Sequence, residues 1–287
     1  MKYKDLAPRG ISSQLRSEIK MGKIIAVANQ KGGVGKTTTS VNLAASLAAT
    51  RHQVLLVDID PQGNATMGCG VDKKHLQISS YDVLTKQSLA RTAIVSLGEL
   101  NFHLLPGNGD LTAAQVELLK MNDRERALAD ALEGCRDDYQ YIIIDCPPSL
   151  NMLTLNALVA ADSVLIPMQC EYYSLEGLSD LMDTIRNIRN TVNPRLAIEG
   201  LLRTMYDPRN RLTNEVSEQL VKHFADKLMK AVIPRNIRLA EAPSHGLPVM
   251  YYDKSSSGAL AYLALAGEIV RRNGTTADNI VRKGSIT

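Results

Sequence analysis

The stretch Ile24-Ile25-Ala26-Val27-Ala28-Asn29-Gln30-Lys31-Gly32-Gly33-Val34-Gly35-Lys36-Thr37-Thr38 decides how this chain is read. An apolar run feeds a glycine-rich turn, and a helix-forming run follows from about Thr37 to Ala49. Strand, glycine turn and helix in that order wrap a phosphate. Gly32, Gly33 and Gly35 are expected to take positive φ and bring their N–H groups close to an anion. Lys36 is placed to neutralise β/γ-phosphate charge, and the Thr37 hydroxyl to hold Mg²⁺. The helix turns its positive dipole end toward the same anion. Lys31, Gly32, Gly33, Val34, Gly35, Lys36, Thr37 and Thr38 thus form the candidate nucleotide loop. The common pattern G-x-x-x-x-G-K-[ST] asks for glycine at position 30, where this chain has Gln30; a second lysine, Lys31, precedes the glycines instead.

Around this loop the 287 residues alternate apolar runs with helical stretches, the signature of βαβ units and a mostly parallel sheet. Gln53-Val54-Leu55-Leu56-Val57 is a strand covered on both faces, and it ends in Asp58-Ile59-Asp60-Pro61-Gln62-Gly63-Asn64. Tyr141-Ile142-Ile143-Ile144 runs into Asp145-Cys146-Pro147-Pro148-Ser149. Carboxylates at the carboxyl ends of strands lie where open α/β sheets bind ligands. Pro and Gly beside acids also make turns, but next to a phosphate loop Asp58, Asp60 and Asp145 read as groups around Mg²⁺ and the attacking water. Further strands are expected at 102–107, 163–167 and 198–203, with helices at 123–132, to about Arg189, through Phe224, and at 258–269. No linker or repeat divides the chain. The expected layout is a basic N-terminal arm (1–22), one α/β domain (23–272) and a flexible tail (273–287).

Net charge is +3, unevenly spread: residues 1–23 carry +4, 271–287 carry +3, and the remainder is acidic. Within that remainder, 186–238 holds eleven basic and five acidic residues. A basic segment on an acidic body points to a localised polyanion contact; the alternative is a solvated helix face. With two Phe and no Trp, a stacking platform for single-stranded bases is not expected. Four cysteines lack C-x-x-C spacing, which disfavours a structural zinc or paired-cysteine iron–sulfur site and fits a reducing cytoplasm. No export signal or membrane span is read from the sequence.

Taken together, Lys31-Gly-Gly-Val-Gly-Lys36-Thr-Thr resembles the deviant Walker A motif of the ParA/MinD family. Asp58-Ile-Asp60-Pro-Gln-Gly-Asn64 resembles its switch I, and Asp145-Cys-Pro-Pro-Ser149 its Walker B and switch II. Gln169-Cys-Glu-Tyr-Tyr-Ser-Leu-Glu-Gly177 and Ile233-Pro-Arg-Asn-Ile-Arg-Leu-Ala-Glu-Ala-Pro-Ser-His-Gly246 are similar to blocks of the chromosomal ParA (Soj-like) branch. The resemblance covers roughly 23–272 and implies a single-domain P-loop NTPase, its mostly parallel twisted sheet flanked by helices on both faces.

The resemblance also implies an ATP- and Mg²⁺-dependent ATPase that forms a homodimer with ATP sandwiched at the interface. Lys31 would reach the partner's nucleotide, supplying charge in trans as an arginine finger does elsewhere. Lys36 would bind the β/γ-phosphates, Thr37, Asp58 and Asp145 would sit at the metal, and Asp60 would orient the attacking water. The adenine would lie around Met205, Tyr206, Pro234, Arg235 and Asn236. Double-stranded DNA would be held without sequence preference by Arg209, Arg211, Arg235 and Arg238, with Lys222, Lys227 and Lys230 behind them. A ParB-type centromere-binding protein would stimulate hydrolysis in a cytoplasmic, nucleoid-associated cycle of chromosome or plasmid segregation. Rival readings are a MinD-like membrane-associated positioning ATPase, which needs a C-terminal amphipathic helix, and a scaffold that barely hydrolyses ATP.

Overall fold

Continuous runs of Ile, Val and Leu make the middle of the sheet, because strands covered on both faces have no solvent side to mark with polar residues. The computed structural model describes residues 22–172 and 174–284; the expected N-terminal arm lies almost wholly outside them. The strands are β1 (Lys23–Val27), β2 (Val54–Asp58), β3 (Val95–Ser96), β4 (His103–Leu105), β5 (Tyr141–Asp145), β6 (Ser163–Gln169), β7 (Ala197–Tyr206) and β8 (Leu228–Pro234). They form one eight-stranded sheet in the order β3-β4-β2-β5-β1-β6-β7-β8. All neighbours are parallel except β3 and β4.

Alternate residues of each central strand enter opposite cores. Ile24, Ala26, Leu55, Val57, Ile142 and Ile144 point into one. Ile25, Val27, Val54, Leu56, Tyr141 and Ile143 point into the other, where the first helix, Lys36–Ala49, and the C-terminal helix, Ser257–Gly284, pack against each other. The result is a single α/β domain with helices on both faces. Among the described residues no helix is long and apolar enough to cross a membrane.

From β1 the chain runs outward to β2, and later places β5 between them before crossing to β6 on the other side of β1. The carboxyl end of β1 therefore sits at the topological switch point, where the flanking connections diverge and leave a crevice. The glycine loop fills that end of β1.

The C-terminal helix runs past Asn273, where the tail is expected to begin, and continues to Gly284. Asn273-Gly274 breaks the apolar pattern, but a helix already nucleated over its first turns extends at little cost per residue.

Candidate functional site

Between β1 and the first helix, the glycine loop is tied down by its carbonyl oxygens. The Lys31 carbonyl accepts from Lys36 Nζ (3.0 Å), that of Gly33 from Gln169 Nε2 (2.9 Å) and that of Val34 from Thr204 Oγ1 (2.8 Å). At its start, Asn29 Nδ2 donates to the Pro167 carbonyl while Asn29 Oδ1 accepts the Lys31 N–H. With the carbonyls engaged outward, the amides of Gly32 through Gly35 donate to no partner among the described residues. That leaves a row of N–H donors at a helix N-terminus, the chemistry of an anion cradle.

Gly33 (φ 72°) and Gly35 (φ 84°) adopt the left-handed conformation, as expected. Gly32 does not, which corrects the sequence reading. A Cβ at Gly32 would meet no atom within 4 Å, so its small size fits close approach of a ligand rather than a backbone requirement.

Asp58 and Asp145 end neighbouring strands and face each other in register. Both are fully buried. Asp145 accepts from Thr37 Oγ1 and Ser40 Oγ, each at 2.8 Å. Asp58 accepts from the Thr66 N–H (2.8 Å), Thr66 Oγ1 (2.7 Å) and the Asp60 N–H (3.2 Å). Burial raises the pKa of both carboxyls, and the Asp58 charge raises that of Asp145 further. Lys36 is buried too, and desolvation lowers its pKa against the attraction of Asp145. Asp60 is nearly buried at the head of a turn, its Oδ1 accepting the Gln62 N–H at 2.9 Å. Gly63 closes that turn with φ 57° beneath the Gly107 carbonyl, where a Cβ would come within 2.7 Å.

Three carboxylates face one buried ammonium, so the cluster carries excess negative charge. Two carboxylates and a threonine hydroxyl, all hard oxygen donors, suit Mg²⁺. The residues present therefore fit a triphosphate on the loop amides and a magnesium ion on Thr37, Asp58 and Asp145.

Beside the loop, a cavity of about 230 Å³ opens between the carboxyl ends of β7 and β8, lined by Gly35, Thr38, Thr204, Met205, Ile233, Pro234, Arg235, Asn236, Leu239, Ala240 and Tyr262. Four of the five residues expected at an adenine are there. Tyr206 is not among them: its hydroxyl donates to Asn214 Oδ1 at 2.9 Å on the other side of β7. At the end of β7, Met205 takes φ 49° and the register with β8 shifts between Arg203 and Tyr206, so regular strand alternation is broken where the two side chains part.

The basic residues divide into two groups. Arg209 and Arg211 follow the carboxyl end of β7, and Arg235 and Arg238 follow that of its parallel neighbour β8. Lys222 ends the helix Arg211–Phe224 that returns antiparallel, so it lies with Lys227 and Lys230 toward the opposite, amino end of β8. Several cations are paired within the chain: Arg209 with Asp207 (2.8 Å), Arg211 with Glu215 (2.8 Å), Lys227 with Asp226 (2.8 Å), and Arg238 with Glu241 (2.8 Å) and Asp253 (3.4 Å).

Among known proteins, the family described as AAA domain matches residues 22–198. The sporulation initiation inhibitor protein Soj of Bacillus subtilis is 53% identical over 249 residues, covering 87% of this chain and 98% of that protein. The chromosome-partitioning ATPase Soj of Treponema pallidum is 46% identical over 254 residues, covering 88% and 99%. This chain belongs to the Soj/ParA family of chromosome-partitioning ATPases. A solved structure named cobyrinic acid a,c-diamide synthase from Mycobacterium smegmatis, with bound ATP analog and magnesium, superposes with a TM-score of 0.78 at 36% identity, covering 89% of this chain and 97% of that one.

Sequence reasoning passed over Ser40, Thr66 and Gln169 as site residues. Ser40 was within reach of it: four residues after Lys36, it shares that lysine's helix face. Thr66 carries no local signal, because its link to Asp58 exists only once the switch-like turn has folded.

Proposed function

We propose that this chain is an ATP-dependent DNA-partition switch: it binds ATP with Mg²⁺, pairs as a homodimer with the nucleotides sandwiched between subunits, and holds double-stranded DNA without sequence preference. A ParB-type centromere-binding partner then stimulates hydrolysis, which releases the DNA and drives chromosome or plasmid segregation in the cytoplasm, at the nucleoid. The observation that carries the reading is a phosphate loop with two lysines, one buried and one exposed, set against two in-register buried aspartates at the switch point of the sheet.

Each residue then has a task that its position supports. The loop amides and Lys36 take the β- and γ-phosphates, placing the buried ammonium where charge develops on transfer. Mg²⁺, when bound, would neutralise charge developing on the β- and γ-phosphates. Thr37, Asp58 and Asp145 would hold it, and its charge would favour the ionised form of the two carboxyls against the effect of burial. Asp60, near the metal group yet held by its own turn, would orient the attacking water. Lys31, exposed at the rim, supplies its charge to a partner subunit's nucleotide. The base enters the cavity beside Met205 and Asn236. Arg209, Arg211, Arg235 and Arg238, at the same carboxyl end of the sheet, are placed so that nucleotide-driven pairing presents two sets of cations to one duplex.

The test is binding to a random-sequence DNA duplex with ATP, with ADP and without nucleotide, across a salt series. Tight, salt-sensitive binding in ATP alone, prolonged by Asp60→Ala, lost in Lys36→Ala and weakened several-fold in Arg235→Ala, is the expected result. A dimer that forms in ATP and binds no DNA refutes the DNA role.

A further inference from the structure

The segment leaving β6 grips the phosphate loop twice. Gln169 Nε2 donates to the Gly33 carbonyl at 2.9 Å, and two residues on, Glu171 Oε2 accepts from Lys31 Nζ at 2.5 Å. The second contact uses the ammonium that the proposed function assigns to a partner's nucleotide. Lys36 does not compete for Glu171, since its own Nζ is turned onto the Lys31 carbonyl.

The two partners of this ion pair are about half exposed, with side-chain accessibilities of 42% for Lys31 and 50% for Glu171. An ion pair so open to water is weak and exchanges readily. A phosphate oxygen offers the ammonium the same kind of partner as a carboxylate oxygen, with more charge behind it. Meanwhile the loop backbone is held independently, by Gln169 on the Gly33 carbonyl and by Asn29 on the Lys31 N–H. The amine is therefore free to change partners without the loop refolding.

We propose that Glu171 is a positioning residue for Lys31, its carboxylate standing in within the same chain for the phosphate that the amine meets when two subunits pair. This rests on the dimeric reading above. Pairing requires Lys31 to leave Glu171, so the fraction of chains with the latch open scales the apparent affinity of the ATP-bound subunits for each other. The latch thereby raises the ATP concentration at which dimers appear.

The test compares full-length wild type with Glu171→Gln and Glu171→Ala by two readouts. Without nucleotide, lysines are acetylated with an N-hydroxysuccinimide ester and followed by peptide mass spectrometry. Lys31 is expected to react several-fold faster in both variants, while the distant surface residue Lys120 keeps its wild-type rate. With Mg-ATP, sedimentation velocity gives the ATP concentration for half-dimerisation, expected to fall about threefold in both variants. Unchanged Lys31 labelling overturns the proposal, because no latch is then being released. Faster labelling with an unchanged or higher midpoint also overturns it, since the pair then exists without gating. A wild type that stays monomeric at saturating ATP, with the labelling difference intact, overturns the gate and locates the failure in the dimeric reading itself.

Discussion

The two ends of the β7–β8 edge and the crevice at β1 handle charge in opposite ways. In the crevice, Asp58, Asp145 and Lys36 are buried and interlocked through Thr37, Ser40 and Thr66, and none of them reaches solvent to relieve the cost. At the edge, Arg209 and Arg211 lie exposed and Lys227 half-exposed, each paired to an acid one to four residues away in sequence. Buried charge without a full complement is expensive and is kept where an absent counter-charge will arrive. Exposed pairs cost almost nothing and contribute almost nothing. The crevice is thus built around an incoming ligand, and the edge offers charge that is largely spoken for until a stronger polyanion competes.

The sharpest break comes from the crevice. Lys36→Ala removes its buried ammonium, and ATP turnover is expected to fall at least about a hundredfold, as when a preorganised charge is deleted from a phosphoryl- or acyl-transfer site. A phosphate-release assay at saturating ATP checks this; turnover within threefold of wild type would mean that Lys36 does not face the reacting phosphate. Next in size is a contrast within the loop. Gly35→Ala forces an alanine to φ near 84° and should cost about 1–2 kcal/mol of stability. Gly32→Ala should leave stability unchanged, because nothing stands within 4 Å of its Cβ, and weaken nucleotide binding instead. Urea melts and titration calorimetry on the two variants separate backbone strain from ligand crowding.

The buried carboxyl pair makes a prediction with a definite sign. Both groups bind a proton more tightly in the folded chain than in the unfolded one. The stability that goes with this is fully present below about pH 4, the ordinary carboxylate range, and is lost as pH rises through the raised pKa values. In magnesium-free buffer Asp145→Asn should flatten that loss and leave the variant more stable than wild type near pH 8 by on the order of 1 kcal/mol. Thermal melts across pH measure it. A wild type equally stable at both ends of the range, relative to the variant, would mean that the pair is relieved by some cation other than magnesium.

What the sequence made legible follows the same division. The loop, β1, β2 and β5 are readable because strands covered on both faces are continuous Ile, Val and Leu, and because their acids fall at the ends. The edges are not. Two-residue β3 is too short to carry a period, and β8 mixes an exposed Lys230 with a terminal Pro234, as an edge strand is free to do. Tyr206 is expected beside Met205 on the resemblance alone, and the left-handed turn at Met205 lets the two side chains part at the end of β7. Glu171 was visible only as one letter of a family block; its link to Lys31 spans 140 residues and depends on β6 lying beside β1. Local chemistry is written in local sequence, while contacts across the sheet wait for the topology.

The smallest effect tests the edge, where the resemblance sets three lysines behind four arginines without saying where in space they lie. Parallel β7 and β8 carry Arg209, Arg211, Arg235 and Arg238 to the nucleotide end, and leave Lys222, Lys227 and Lys230 about 20 Å away at the other end of a seven-residue strand. Arg235 is exposed and has no salt bridge among the described residues, whereas Arg209 makes two hydrogen bonds to Asp207 and holds its carboxyl down to about 2. A phosphate gains most of the charge of Arg235, which Asp207 attracts without a direct contact, but must take Arg209 from a carboxylate bonded to it. In low salt, Arg235→Ala should therefore weaken ATP-dependent duplex binding about three- to fivefold, Arg209→Ala less than twofold, and Lys222→Ala not at all, with a salt slope reduced by roughly one for Arg235→Ala alone. Asp207→Ala sharpens the point by freeing Arg209, and should tighten binding. Equal losses across the three cation variants would mean that the duplex spans the whole edge rather than its nucleotide end.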